Sequence, residues 1–158
     1  MKRLTILMIC ILMMTVAAGC SHSNKEVSTG QVFFGDWIID SKLPDAPMGD
    51  FEEEDLKTIL GAGLSFSAEK ASCFGDALDT LGQTVDKPEY VTMDVSRSDF
   101  ESMTGESFDS IGRQGDNITQ VSVVKDPERN TGIVFYIIDD NTLLANSAGT
   151  FFLVKKIK

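Results

Sequence analysis

The chain has 158 residues, with 14 basic side chains against 24 acidic ones and a formal net charge of −10. This length suits one domain and is short for a two-domain enzyme. The charge argues against a nucleic-acid partner, because polyanions are bound through lysine and arginine contacts that release counterions. The only concentrated positive charge is at the C-terminus, at Lys155, Lys156 and Lys158.

The first 19 residues have the three-part pattern of a secretory signal. A short basic start at Lys2 and Arg3 precedes residues 4–18, which carry no charge. This apolar stretch of about fifteen residues is shorter than the roughly 20 residues that a membrane-spanning helix needs. We therefore predict that residues 1–19 are a signal peptide rather than a permanent membrane helix.

The junction at residues 16–20, Val-Ala-Ala-Gly-Cys, resembles the lipobox of bacterial lipoproteins. The resemblance implies cleavage between Gly19 and Cys20 and a diacylglycerol group on the Cys20 sulfur. Two or three acyl chains hold a protein on a membrane almost permanently. The expected location is the cell membrane or outer membrane, facing the extracytoplasmic side. The alternative is an ordinary secretory signal that leaves Cys20 as a free thiol.

Residues 20–30 are polar and have no apolar periodicity, which predicts a flexible tether between lipid and domain. The only histidine, His22, lies in this tether. Without Lys2 and Arg3, 12 basic side chains face 24 acidic ones, a formal charge of −12. Loss of Cys10 and acylation of Cys20 leave Cys73 as the single thiol, so no intramolecular disulfide is expected.

Residues 31–158 form the predicted β domain. In the first strand, residues 31–40, alternation predicts that Trp37 faces the core. A loop over 42–49 leads to a helix at 51–60, with Asp50 as its N-cap. Short strands are predicted at 64–67 and 71–74, and the stretch from 75 to 87 has no clear pattern.

The second half of the domain continues the strand pattern. A strand at 89–95 precedes a short helix capped by Ser96, with Phe100 and Met103 on one face. Further strands are predicted at 118–124, at 132–138 with both faces buried, and at 142–145 and 150–157. In the last strand Phe152, Val154 and Lys156 share one face. The fold class is therefore mainly β: an antiparallel up-and-down barrel, or a half-open lipocalin-like barrel, with one or two short helices. An open sheet packed on helices is the alternative.

Gly35-Asp36-Trp37 in the first strand, the early helix and the Phe-rich last strand ending in lysine resemble the calycins, the group of lipocalins and related bacterial lipoproteins. The resemblance implies that the Trp37 indole packs across the barrel floor and that a basic side chain covers it. Lys156 or Lys155 is the candidate for that position. Gly35, Trp37 and Lys156 are thus the expected barrel-closing motif.

The inventory of reactive side chains argues against catalysis. With the only histidine in the tether, Ser–His, Cys–His and histidine-ligated zinc sites have no imidazole in the domain. Cys73 is expected to pack as a small apolar residue, and nothing singles out two of the 24 carboxylates. The acidic run at 52–55 and the turn at 139–141 lack the spacing of a calcium site. We therefore expect a non-enzymatic protein with no metal or cofactor.

Two functional hypotheses remain open. The calycin resemblance and 13 aromatic residues suggest a small apolar or amphiphilic ligand inside the barrel. The competing explanation is that the aromatic side chains fill the core themselves, as they do in many small barrels. The alternative function is an interaction module, of the inhibitor or envelope-protection type, whose acidic surface binds a basic protein.

Overall fold

The computed structural model describes residues 31–43, 51–73, 83–124, 132–147 and 149–158. These residues form a mainly β structure with two short helices. In chain order the elements are β1 Gly35–Lys42, α1 Glu53–Ile59, β2 Gly63–Phe66, β3 Lys70–Cys73, β4 Gln83–Asp86, β5 Glu89–Ser96, α2 Arg97–Thr104, β6 Asn117–Val124, β7 Gly132–Asp139, β8 Thr142–Ser147 and β9 Thr150–Lys156.

The strands form one antiparallel sheet in the order β4-β3-β2-β1-β9-β8-β7-β6-β5. Strands that follow each other in the chain are neighbours in the sheet, except that β4 and β5 are its two edges. The first strand pairs with the last, and Trp37 lies opposite Lys156 in that pair. The order is therefore that of an up-and-down meander whose two ends meet at β1 and β9.

The short link between β4 and β5 requires the sheet to curl. Eight strand spacings of a flat nine-stranded sheet would separate its edges by roughly 38 Å. Only Lys87 and Pro88 join the two edge strands, and three Cα steps reach at most about 11 Å. The Tyr90 hydroxyl donates to the Ser67 carbonyl oxygen (2.7 Å), and the Lys87 N–H donates to that of Glu69 (2.7 Å), near the place where the edges meet. The sheet is a curled half-barrel, which confirms the predicted fold class.

The inner face of the curled sheet encloses the larger of two hydrophobic cores, called the inner core. It gathers buried side chains from most strands, from the segment before β1 and from α1. Its largest fully buried members are Phe33, Trp37, Ile39, Ile59, Phe66, Phe135, Leu143 and Phe152. Helix α1 lies on this core through Ile59, and Phe51 just before it packs 6.2 Å from the Phe152 ring, centroid to centroid.

A second core, called the outer core, lies on the opposite face of strands β5 to β9. Helix α2 and the residues after it cover this face with Phe100, Phe108 and Ile111. The Phe100 ring packs at 5.4 Å from Phe108 and at 5.1 Å from Tyr136. Alternation along β7 to β9 supplies both cores, since neighbouring residues point to opposite faces. This explains why residues 132–138 have the pattern of a strand buried on both sides.

The structure corrects several details of the predicted elements. The predicted cap Asp50 lies outside the described residues, and α1 begins after Glu52, whose N–H donates to the Asp55 carboxylate (3.0 Å). Met103 is 59% exposed rather than sharing a buried face with Phe100, because the part of α2 that it occupies turns to solvent. The Ser96 cap is confirmed: its hydroxyl accepts the Asp99 N–H (3.2 Å).

Two strands also differ from expectation. Part of the stretch with no clear pattern, residues 75–87, forms strand β4 because it pairs with β3 from Lys70 to Cys73. In β5 the side chain that enters the inner core is Tyr90, while Val91 and Met93 stay 36% and 52% exposed. The face that carries Tyr90, Thr92 and Asp94 therefore points inward at the start of the strand, since Tyr90 provides a large apolar ring there.

Candidate functional site: the closed end of the sheet

The residues before β1 close the end of the half-barrel at which β1 begins and β9 ends. Their backbone turns where the Phe34 N–H donates to the Gln31 carbonyl oxygen (3.0 Å). This turn places Phe33 inside, where it is fully buried against the rings of Phe34, Phe66, Tyr90 and Phe135 at centroid distances of 5.1 to 6.4 Å. Phe33 therefore plugs this end, which we call the closed end.

Trp37 lies directly behind this plug. Its side chain points to the inner face of β1 and is fully buried. The indole Nε1–H donates to the Phe33 carbonyl oxygen at 2.9 Å, which satisfies the one polar group that burial of this ring removes from water. The indole thus ties the strand to the plug.

Lys156 covers the Trp37 ring from the neighbouring strand. Its Nζ lies 5.1 Å from the ring centroid and donates to the Val32 carbonyl oxygen at 2.9 Å. A cation–π contact of this kind contributes about 0.5–1 kcal/mol at an exposed site. Lys155, the other candidate, points elsewhere and donates to Thr142 Oγ1 at 2.8 Å. The lysine over the indole is therefore Lys156.

Gly35 has a specific reason to lack a side chain. Its φ of +128° is a conformation that only glycine adopts without strain. A β-carbon at this position would also lie 3.3 Å from Cε of Lys156. The structure therefore brings Gly35, Trp37 and Lys156 together at the closed end. Gly19, Cys20 and His22 lie outside the described residues.

Tyr90 ties the edge strand β5 to the β2–β3 turn at the same end. Its ring packs on Phe33 and Phe34, and its hydroxyl donates to Ser67 on the β2–β3 turn. Burial, which outweighs the hydrogen bond to Ser67, raises the pKa of the Tyr90 phenol to about 12, with a smaller contribution from the nearby Glu69 charge. The phenol therefore stays neutral and serves as a donor across the physiological pH range.

Among the described residues, the buried polar side chains are Glu106, Thr142 and Thr150. Within this part of the chain, no cluster of three or more His, Cys, Asp or Glu side chains is placed to hold a metal ion, and each buried side-chain nitrogen or oxygen has a hydrogen-bond partner. The acidic residues 52–55 are exposed around the start of α1. Asp139 accepts the Asn141 N–H at 2.7 Å, as expected for a turn. The Cys73 side chain lies outside the description.

Sequence reasoning placed Phe33 in a first strand at 31–40 and so missed the turn that makes it a plug, and it missed the outer core. Phe33 precedes the first strand, and the pair of phenylalanines immediately before Gly-x-Trp was the available signal. The outer core is held in part by arginines: the Arg97 guanidinium lies 4.7 Å from the Phe108 ring centroid, and Arg113 donates to the Ile138 carbonyl oxygen at 2.7 Å. Such contacts leave no periodic pattern in a sequence.

Comparison with models of known protein families, with curated proteins and with solved structures found no match. Neither described helix is long and apolar enough to cross a lipid bilayer. The functional conclusion therefore depends on the packing of the half-barrel and on the chemistry of its surface.

Proposed function

We propose that this protein is a lipid-anchored extracytoplasmic lipoprotein whose lipocalin-like barrel is a non-enzymatic scaffold that binds a basic protein through its acidic outer surface. The observation that carries the proposal is the aromatic packing of the inner core. The Phe66 and Phe135 rings pack at 4.6 Å between centroids, and Phe33 lies against both. Side chains of the chain itself therefore occupy the inner face of the sheet beside the closed end, which favours binding on the outside.

The lipocalin-like part of the proposal is supported by the order of the strands and by the closed end. An up-and-down meander joined through its first and last strands is the arrangement of small ligand-binding barrels. Gly35, Trp37 and Lys156 make the contacts that the calycin resemblance implies. The anchor rests on the lipobox-like junction at Gly19 and Cys20.

Charge supports a basic partner. After removal of the signal peptide the chain carries 12 basic against 24 acidic residues. A surface of one dominant sign speeds encounter with a partner of the opposite sign, and salt screens this attraction. Binding to a basic protein such as lysozyme should therefore weaken steeply as salt concentration rises.

A small apolar ligand is the second candidate, and the cover formed by α1 favours it. This seven-residue helix contacts the inner core through Ile59 and the half-buried Leu56, while its acidic first turn is exposed. The adjacent Phe51 packs on Phe152. A ligand that displaced Phe51 and α1 would gain contact with Phe152 and Ile39 of the inner core.

Native mass spectrometry of the full chain purified from membranes, compared with the denatured sample, tests these proposals together. The proposal predicts an acyl mass that persists on denaturation and is absent from a Cys20→Ser variant. It also predicts no small molecule that dissociates on denaturation. A dissociating apolar molecule would favour the second candidate, and an unmodified Cys20 would overturn the anchor.

Binding to immobilised lysozyme at increasing salt tests the outer surface separately. We expect retention at low salt that is lost as salt rises, and no retention on an acidic protein of similar size. Equal retention on both proteins would contradict a binding surface that depends on charge.

A further inference from the structure

Strand β5 is an edge of the sheet that the described residues form. In its ladder with β6 the partners are in register from Glu89 opposite Val124 to Ser96 opposite Asn117. The Arg97 N–H donates to the Asp116 carbonyl oxygen at 2.8 Å and continues the same register. Hydrogen-bonded pairs alternate along an antiparallel ladder, so odd-numbered residues of β5 bond to β6. The N–H and C=O groups of Thr92 and Asp94 therefore point to the open edge.

The same strand exposes apolar side chains on its outer face. Val91 and Met93 are 36% and 52% exposed, while Val95 farther along enters the outer core. Large exposed apolar side chains next to unpaired backbone groups are the features that edge strands ordinarily avoid. Such an edge is suited to receiving another strand, since backbone hydrogen bonds supply affinity and alternate side chains supply specificity.

The charges along β5 indicate what kind of strand fits. Its two charged residues, Glu89 and Asp94, are acidic and exposed. Lys87 and Arg97 lie beyond its two ends, and the Arg97 guanidinium is already bonded to the Gly115 carbonyl oxygen (3.0 Å). Asp94 has the orientation of Tyr90, on the inner side of the strand. A second copy of this acidic chain would bring like charges together, whereas a basic strand would not.

We propose that the free edge of β5 binds an extended segment of the basic partner protein by strand addition. The segment alternates apolar residues, which lie beside Val91 and Met93, with lysine or arginine, which face Asp94. Its backbone pairs with Thr92 and Asp94. This inference rests on the proposed function and names the surface and the type of segment that the partner contributes.

The test uses a fluorescent peptide of alternating valine and lysine, with binding to the full chain followed by anisotropy. Thr92→Pro removes an edge N–H without removing a bond to β6, and proline is tolerated at such edge positions. We expect this variant to bind the peptide about tenfold more weakly, as the loss of one or two hydrogen bonds requires. Unchanged binding by Thr92→Pro would overturn the proposal.

Variants of exposed side chains keep the test decisive if Thr92→Pro does not fold. Met93→Lys should weaken peptide binding, and Asp94→Asn should weaken it and flatten its salt dependence. Glu53→Gln, which removes the same charge from the exposed start of α1, should leave binding unchanged. An equal effect of Asp94→Asn and Glu53→Gln would show that only net charge matters and would overturn the edge as the site.

Two further measurements separate this inference from the proposed function. A peptide of alternating valine and glutamate should not bind, and sedimentation should show that the chain alone is monomeric. Self-association that Thr92→Pro abolishes would assign the edge to a second copy and overturn the basic partner. Salt-sensitive lysozyme binding that survives Thr92→Pro and Met93→Lys would refute the edge while leaving the proposed function intact.

Discussion

The inner and outer cores share strands β5 to β9 but are assembled differently. The inner core gathers residues from Phe33 near one end of the domain to Val154 near the other. Apart from Leu43, which follows β1, the outer core depends on one stretch, from Val95 to Ile118, folded onto the back of β7 to β9. The inner core therefore requires the whole sheet to be in place, whereas the cover of the outer core is largely local. A truncated side chain in the inner core should therefore destabilise more of the molecule than one in the outer core.

The largest expected effects come from matched truncations in the two cores. Phe135→Ala and Phe100→Ala each remove a ring that is 1% exposed or less. We expect losses of about 4 and about 3 kcal/mol in the free energy of unfolding, measured with urea. Hydrogen exchange should show that Phe135→Ala weakens protection throughout the sheet, while Phe100→Ala weakens it mainly from 97 to 116. If both variants lost hydrogen-exchange protection over the same residues, the proposed difference between the two cores would be contradicted.

Gly35→Ala tests the closed end of the inner core. The positive φ, together with the contact to Lys156, should cost about 2 kcal/mol of unfolding free energy. In the double variant Gly35→Ala/Lys156→Ala, only the part of this free-energy loss that is due to the close contact with Lys156 should be recovered. The part due to backbone strain remains. As a control, Gly63→Ala meets only an ordinary contact at 3.8 Å and should change stability by about 0.5 kcal/mol or less.

Ser96→Ala tests the start of α2 in the outer core. Loss of the hydroxyl that accepts the Asp99 N–H should cost about 1 kcal/mol in urea unfolding. Ser102→Ala, at an exposed position of the same helix, is the control and should have little effect. A Ser102→Ala loss as large as that of Ser96→Ala would show that the cap is not the cause.

The smallest effect is a pH dependence to which each core contributes one tyrosine. Burial raises the pKa of Tyr90 from 10.0 to about 12 and also raises the pKa of Tyr136. Because the folded state favours the neutral phenols, stability should be unaffected by them below pH 10.0 and should fall as pH rises towards 12. Urea unfolding across this range should show a shallower fall for Tyr90→Phe. If the unfolding free energy of Tyr90→Phe fell with pH as steeply as that of the unchanged chain, Tyr90 would not contribute to the pH dependence.

Much of this fold was predictable because period-two alternation is strong in β6 and β9, where Val121, Val123 and Phe152 all face the inner core. Alternation predicted that Trp37 faces the core, and the calycin resemblance implied a lysine over its ring, either Lys156 or Lys155. The orientation of β5 did not, because the burial of Tyr90 depends on Phe33, which lies far away in the chain. The free edge of β5 was also hidden, since sheet order is a tertiary property that no local pattern records.

The pairing of β1 with β9 has a consequence for the order of folding. Trp37 and Lys156 are opposite each other in the sheet but are separated by most of the chain. Contacts between such distant residues form slowly, because a long loop must close before they stabilise anything. During synthesis the meander from β1 to β4 must wait for the last strand to be made. Until then, the backbone groups of β1 that pair with β9 are exposed and can associate incorrectly with other strands. In a chain that ends before β9, these groups would stay exposed.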